Sequence, residues 1–163
     1  MTERYRVCFV CTGNICRSPM AEAVFRSHAR EAGVEVDVSS AGTGGWHVGE
    51  DADPRTLAVL ESSGYSLDHQ ARQFGADWFQ DHDLVVALDL GHLRELRRMA
   101  PTPADAERVR LLREFEAAPS EDDCEVPDPY YGGQEGFEEC LAMIEGAVPG
   151  LLEEVRRRLV ESA

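Results

Sequence analysis

The chain has 163 residues, 43% of them hydrophobic and 29% charged, which suits one globular domain over 1–163 with a core of its own. Its 31 acidic and 16 basic side chains give a net charge of −15, which argues against nucleic acid as the main ligand and requires a local positive site for any anionic substrate. No apolar run approaches the ~18 residues of a membrane span, and the first residues lack the apolar stretch of a secretory signal, so a cytoplasmic protein without membrane insertion is expected.

Arg6 to Val10 reads as a buried strand closed by a Gly13-Asn14 turn signal. Ser18-Pro19 then opens a helix, with Ser as cap and Pro in the first turn, and Gly33 ends it. Val34 to Ser40 alternates as a second strand and runs into the glycine-rich loop 41–45. Asp53-Pro54 starts a helix that reaches Gly64. Asp83 to Asp89 is a third strand, apolar throughout its middle as in a parallel sheet covered on both faces. A basic helix follows from Leu90 to Met99, capped by Asp89 and stopped by Pro101. Val109 to Leu112 is a fourth strand, Glu114 to Asp128 an acidic loop, and Gln134 to Val160 a last helix with a break expected near Pro149-Gly150. Strand and helix alternating four times predict an α/β three-layer sandwich, a four-stranded parallel sheet flanked by helices. Ligands of such sheets sit beyond the carboxyl ends of the strands, where the loop after the first strand lies.

That loop, Cys11-Thr12-Gly13-Asn14-Ile15-Cys16-Arg17-Ser18, combines three devices for holding an anion. Backbone N–H groups between a strand and a helix N-terminus can turn inward around a phosphate, and the helix dipole adds to their field. Gly13 permits tight backbone geometry and Asn14 tolerates a left-handed one. Arg17 offers a planar fork that matches two phosphate oxygens. Cys11, at the strand end, faces the same field, which favours its thiolate as a nucleophile, and Ser18 can donate its hydroxyl to the sulfur. Cys8, inside the strand, reads as a small buried hydrophobe. Cys8 and Cys11 form a Cys-x-x-Cys pair, but with no second pair at suitable spacing no metal set is expected.

The run Val10-Cys-Thr-Gly-Asn-Ile-Cys-Arg-Ser-Pro-Met-Ala-Glu22 resembles the signature of the low-molecular-weight protein tyrosine phosphatases. Further matches fall at Ser40-Ala-Gly, Trp46, Asp68-His-Gln-Ala-Arg72 and Asp128-Pro-Tyr-Tyr-Gly132, so the resemblance spans nearly the whole chain. It implies hydrolysis of phosphotyrosine in a protein substrate through a cysteinyl phosphate, with inorganic phosphate as product and no cofactor. It makes Asp128 the general acid; from the residues alone, Asp128 differs from the solvated run Glu121, Asp122, Asp123 and Glu125 only by its Pro-aromatic setting. It places Thr12, Gly13, Ile15 and Cys16 around the phosphate and Trp46, Tyr130 and Tyr131 at the cleft entrance. Asn14, Ser40 and His69 become braces of the phosphate loop. It also implies a reversible disulfide between Cys16 and Cys11 under oxidation. His47 falls near the cleft rim without an assigned role.

Three rival readings stay open on the sequence. An arsenate reductase of the same fold needs two more cysteines near the third strand and its helix, where 83–100 has none and Cys124 and Cys140 are poor substitutes. Protein-arginine phosphatases of this superfamily carry Thr at the position of Ile15, whose apolar side chain favours an aryl ester. A non-catalytic phosphate-binding or redox adaptor would have no use for Asp128.

Overall fold

The computed structural model describes residues 4–162. Strands β1 (Tyr5–Cys11), β2 (Val36–Gly42), β3 (Leu84–Ala87) and β4 (Val109–Leu111) form one parallel sheet in the order β2-β1-β3-β4. The connecting helices are α1 (Arg17–Glu31), α2 (Pro54–Ser62), α3 (Leu90–Met99), the short α4 (Pro103–Glu107) and α5 (Gln134–Ser162). The period of two along β1 sorts its side chains to opposite faces. Val7 and Phe9 join the larger apolar cluster with α1 and α5; Cys8 and Val10 join a smaller one with Phe74, Phe79 and Leu96. Phe9 and Phe25 lie with ring centroids 5.6 Å apart at the heart of the larger cluster. Full burial of each such ring stabilises the fold by roughly 1.5–3 kcal/mol.

The strands and helices follow the predicted order, and the departures have local causes. β2 begins at Val36 rather than Val34 because Val34 belongs to the end of α1. Gly33 takes φ +71° and donates to Arg30 O, while the Val34 N–H reaches Ala29 O at 2.9 Å, a Schellman closure. β3 is shorter than predicted at both ends. The Asp83 carboxylate accepts the Arg6 N–H at 2.8 Å, and Asp89 caps α3 by accepting the His92 N–H at 2.8 Å, as the sequence had indicated for Asp89. Leu112 leaves β4 for a single 3-10 turn, Leu112–Phe115. α4 and a 3-10 turn at Ala76–Asp81 lay outside the sequence reading, being too short to show a period.

Two expectations are corrected. The break expected at Pro149-Gly150 is absent: α5 runs unbroken from Gln134 to Ser162. Ala147, Val148 and Leu151 are fully buried there, and a Cβ on Gly150 would stand 1.9 Å from Phe115 O. Packing on both sides of the proline outweighs its lost N–H. Nor does Ser18 cap α1. Cys16 occupies the cap position without a side-chain hydrogen bond, and the Ser18 hydroxyl turns inward to the site.

Candidate active site

β1 delivers Cys11 to the carboxyl edge of the sheet, and the chain then winds through Thr12–Cys16 into the N-terminus of α1. Cys11 is 2% exposed, its sulfur 2.9 Å from Ser18 Oγ. Asn14 supplies an amide hydrogen to Ser18 Oγ at 2.8 Å, and the one Ser18 proton has two acceptors in reach, the Cys11 sulfur at 2.9 Å and Ala41 O at 3.3 Å. A thiolate at Cys11 can only accept that proton.

Asn14 is the hub of the loop. Fully buried, at φ 58°, it donates a second amide hydrogen to Ser40 Oγ at 3.0 Å, and its Oδ1 accepts the Arg72 N–H at 2.9 Å. His69 Nε2 lies 2.6 Å from Asn14 O; a carbonyl only accepts, so this nitrogen carries the proton. Ser40 passes its own proton to Glu22 Oε1 at 2.6 Å, and Glu22 is paired with Arg26. Asn14, Ser40 and His69 are thus joined by hydrogen bonds, and Glu22, which the sequence shows only within the signature run, extends the chain of contacts. Gly13 leaves room for His47: a Cβ there would stand 2.9 Å from His47 Cδ2 and the ring would have to turn aside. A Cβ on Gly42 would meet Thr12 O at 2.6 Å, so that glycine lets β2 close against the loop.

Arg17 is 3% exposed and held on several sides. Its Nη1 donates to Asp89 Oδ2 at 2.9 Å and to Val126 O at 3.0 Å, and Nη2 donates to Thr12 Oγ1 at 3.3 Å. Burial opposes the guanidinium charge, but Cys11, Asp89 and Asp128 outweigh it and raise the Arg17 pKa. Asp89 is likewise opposed by burial, but the His92 N–H and Arg17 keep its pKa below the ordinary carboxylate value. Asp128 faces Arg17 across the site, its Oδ2 3.8 Å from Nη2 and its Oδ1 accepting the Tyr130 N–H at 3.1 Å. The stretch before it is tied down by Val126 N–H to Leu88 O at 2.9 Å and by Cys140 Sγ to Pro127 O at 3.1 Å.

Sequence reasoning missed His92. It is 4% exposed, with Nε2 2.8 Å from Thr12 Oγ1 and Nδ1 3.1 Å from Asp89 Oδ1. The Asp89 carboxylate beside Nδ1 can only accept, which favours the imidazole proton on Nδ1 and leaves Nε2 to accept from Thr12, although the Nδ1–Asp89 approach does not meet hydrogen-bond geometry. Burial, aided by Arg17 and opposed by Asp89, Asp128 and Glu125, lowers the His92 pKa to about 4. An unfolded histidine takes its proton near pH 6.5, so stability is complete above that value and falls as pH drops toward 4, by up to about 3 kcal/mol. Denaturation midpoints between pH 4 and 7 should therefore slope more steeply for the parent than for His92→Gln. Parallel slopes would remove His92 as the source. The spacing of Asp89 and His92 at a helix start was the available signal.

These groups open onto a cleft of about 380 Å³. Its floor is Cys11, Thr12, Gly13, Ile15, Cys16 and Arg17; its walls are Trp46, His47, Asp128, Tyr130 and Tyr131. Trp46 is 74% exposed, its ring folded against the Gly44 backbone, and Tyr131 is 91% exposed. Burial, with the nearby charges of Asp53 and Asp128, pushes the Cys16 thiol up to about 12. A larger open groove bordered by Arg4, Arg26, Arg30 and Glu35 brings together no nucleophile. Among the described residues, no group of three or more His, Cys, Asp or Glu converges as a metal cage would require.

A thiol, a guanidinium and a carboxyl gathered at the carboxyl edge of a parallel sheet are the equipment of a cysteine-based phosphomonoester hydrolase. Residues 6–161 match the model of the family described as low molecular weight phosphotyrosine protein phosphatase, and the chain belongs to that family. It is 65% identical over 157 residues to a low molecular weight protein-tyrosine-phosphatase of Streptomyces coelicolor, covering 95% of this chain and 96% of the relative. It is 48% identical to low molecular weight protein-tyrosine phosphatase A of Mycobacterium tuberculosis, covering 99% and 98%. Among solved structures, YfkJ from Bacillus subtilis superposes with a TM-score of 0.88 at 36% identity, covering 96% and 98% of the two chains. A protein tyrosine phosphatase from Entamoeba histolytica, crystallised with Hepes in its active site, superposes with a TM-score of 0.89 at 33% identity, covering 94% and 97%. The chain is thus an enzyme of the tyrosine-phosphatase kind acting on phosphoproteins, and the reductase, arginine-phosphatase and adaptor readings give way to it. Among the described residues no helix is long and apolar enough to cross a membrane.

Proposed function

We propose that Cys11, Arg17 and Asp128 hydrolyse phosphotyrosine side chains of protein substrates in two steps. The Cys11 thiolate attacks phosphorus, the bond to the phenolic oxygen breaks, and Asp128, entering protonated, gives its proton to that oxygen. Water then attacks the cysteinyl phosphate, Asp128 as carboxylate takes its proton, the S–P bond breaks, and inorganic phosphate leaves with the thiolate restored. Arg17 and the N–H groups of Thr12–Arg17 hold the equatorial oxygens through both steps, where charge builds up. Ser18 stabilises the sulfur as leaving group. Ile15 on the floor and Trp46 and Tyr130 on the walls provide apolar surface against which an aryl ring can lie, with Cys16 and Tyr131 beside them. Asn14, Ser40 and His69 fix the loop beforehand, so that little reorganisation is needed at the moment of reaction. Buried free thiols at Cys8, Cys11, Cys16 and Cys140 suit a reducing compartment such as the cytoplasm.

The observation that carries this reading is Asp128 Oδ2 standing 3.8 Å from Arg17 Nη2 above a cleft floored by Cys11. An acid there meets the departing oxygen while the guanidinium holds the phosphoryl group. Asp128→Ala should lower kcat/KM for phenyl phosphate by about 10²- to 10³-fold, the usual worth of a general acid, and leave inhibition by inorganic phosphate within a few-fold. Equal losses in both measurements would remove Asp128 from this role.

A further inference from the structure

Arg55, on the first turn of α2, lies outside the cleft and the chemistry, yet its guanidinium is bonded on three sides. Nε and Nη2 hold the Asp53 carboxylate as a fork, at 3.0 and 2.9 Å. Nη2 also donates to Tyr130 O and Nη1 to Gly132 O, each at 3.0 Å. The guanidinium carbon sits 4.4 Å from the Phe137 ring centre and 5.6 Å from that of Tyr130. Asp53 is 8% exposed; its backbone N–H donates to Ile15 O at 2.8 Å, inside the phosphate loop. One ion pair thus connects the loop that holds phosphate to the loop that carries the acid.

Residues 127–133 have no helix or strand of their own. On the side preceding Asp128 this loop is held by Leu88, Arg17 and Cys140. On the following side, Arg55 takes the carbonyls of Tyr130 and Gly132, two and four residues beyond the acid. Asp128 stands between these anchorages with its side chain 44% exposed. An isolated exposed ion pair contributes little to stability. A planar fork that fixes two backbone carbonyls and a carboxylate at once confers geometry, and a misplacement of about 1 Å in a reacting group can cost about 10²-fold in rate.

We propose that Arg55, anchored to the phosphate loop through Asp53, is a positioning residue that holds the Asp128 loop over Cys11. The proposal rests on Asp128 acting as the general acid. Its signature is a dependence on the leaving group: a displaced acid harms the departure of a basic phenol and hardly affects that of an acidic one.

The test compares kcat/KM for phenyl phosphate and 2,4-dinitrophenyl phosphate in the parent, Arg55→Met, Arg55→Lys and Asp128→Ala proteins, with melting temperature and inorganic phosphate inhibition measured alongside. Arg55→Met should lose about 10- to 100-fold on phenyl phosphate and less than about 3-fold on the dinitrophenyl ester, with phosphate inhibition nearly unchanged. Arg55→Lys keeps the charge without the fork and should fall between the parent and Arg55→Met, which also covers the case in which the methionine protein folds poorly. Adding Arg55→Met to Asp128→Ala should cost little more on phenyl phosphate, because an acid already removed cannot be misplaced. Equal losses on both esters, or fully multiplicative losses in the double variant, would overturn the proposal and leave Arg55 a purely structural clip. A flat profile in Asp128→Ala itself would instead sink the acid assignment, so the two failures are distinguishable.

Discussion

Cys11→Ser is expected to lower turnover of phenyl phosphate by on the order of 10⁴-fold or more, while inorganic phosphate still binds within a few-fold of the parent. The substitution preserves size, and the hydroxyl can keep the 2.9 Å contact with Ser18, so the braced loop has no cause to rearrange. What disappears is a group able to exist as an anion beside Arg17 at the head of α1. A serine hydroxyl would need a base to take its proton, and the Ser18 hydroxyl facing it is no base. The measurement is single-turnover hydrolysis with phosphate inhibition run in parallel. Residual turnover within 100-fold of the parent would mean that another group attacks phosphorus.

Arg17→Lys should lower kcat/KM by about 10³-fold and weaken phosphate inhibition as well, which separates it from the cysteine and aspartate variants. The charge survives, but the fork does not. Nη1 links Asp89 to Val126 O, and Nη2 reaches Thr12 while facing Asp128. A single ammonium cannot keep these contacts and also meet two phosphate oxygens. Asp89, with its side chain only 23% exposed, and the carbonyl of Val126 would lose a partner, so a stability loss of about 1–3 kcal/mol should accompany the kinetic one. Urea unfolding would show it as a lower midpoint with unchanged slope. A lysine protein with near-parental kcat/KM would reduce Arg17 to a point charge.

The pieces of the site differ in how far sequence reasoning could reach them. Cys11, Arg17 and Ser18 lie within eight residues, between a strand and a helix whose patterns are plain, so their meeting is a local consequence of the turn. Asp89 was recognised as the cap of α3, and it is; its second oxygen, on Arg17, depends on β3 lying beside β1. Thr12 belongs to the loop by its place in the chain, but its hydroxyl is bonded to a histidine 80 positions away. Arg55 resembles any first-turn arginine because its acceptors far along the chain, Tyr130 O and Gly132 O, are backbone carbonyls, which carry no residue-type signal. The predicted break at Pro149 overstated a local rule: the proline's missing bond is real, but the buried face of α5 outweighs it.

By itself the sequence determined the alternation of strands and helices and the short loop after the first strand in which a thiol and a guanidinium, Cys11 and Arg17, stand close together. These depend on periodicity, capping and a turn of a few residues, interactions whose partners are close along the chain. Only the tertiary structure decided that Asp128 faces Arg17, that Asn14 unites Ser18, Ser40, His69 and Arg72, and that Arg55 ties the two loops together. Those contacts join segments that are neighbours only once β1 sits between β2 and β3 and the loops converge at their carboxyl ends. Hydrogen bonds and ion pairs act over about 3–4 Å, so their partners are set by where packing brings the segments, which no local pattern encodes.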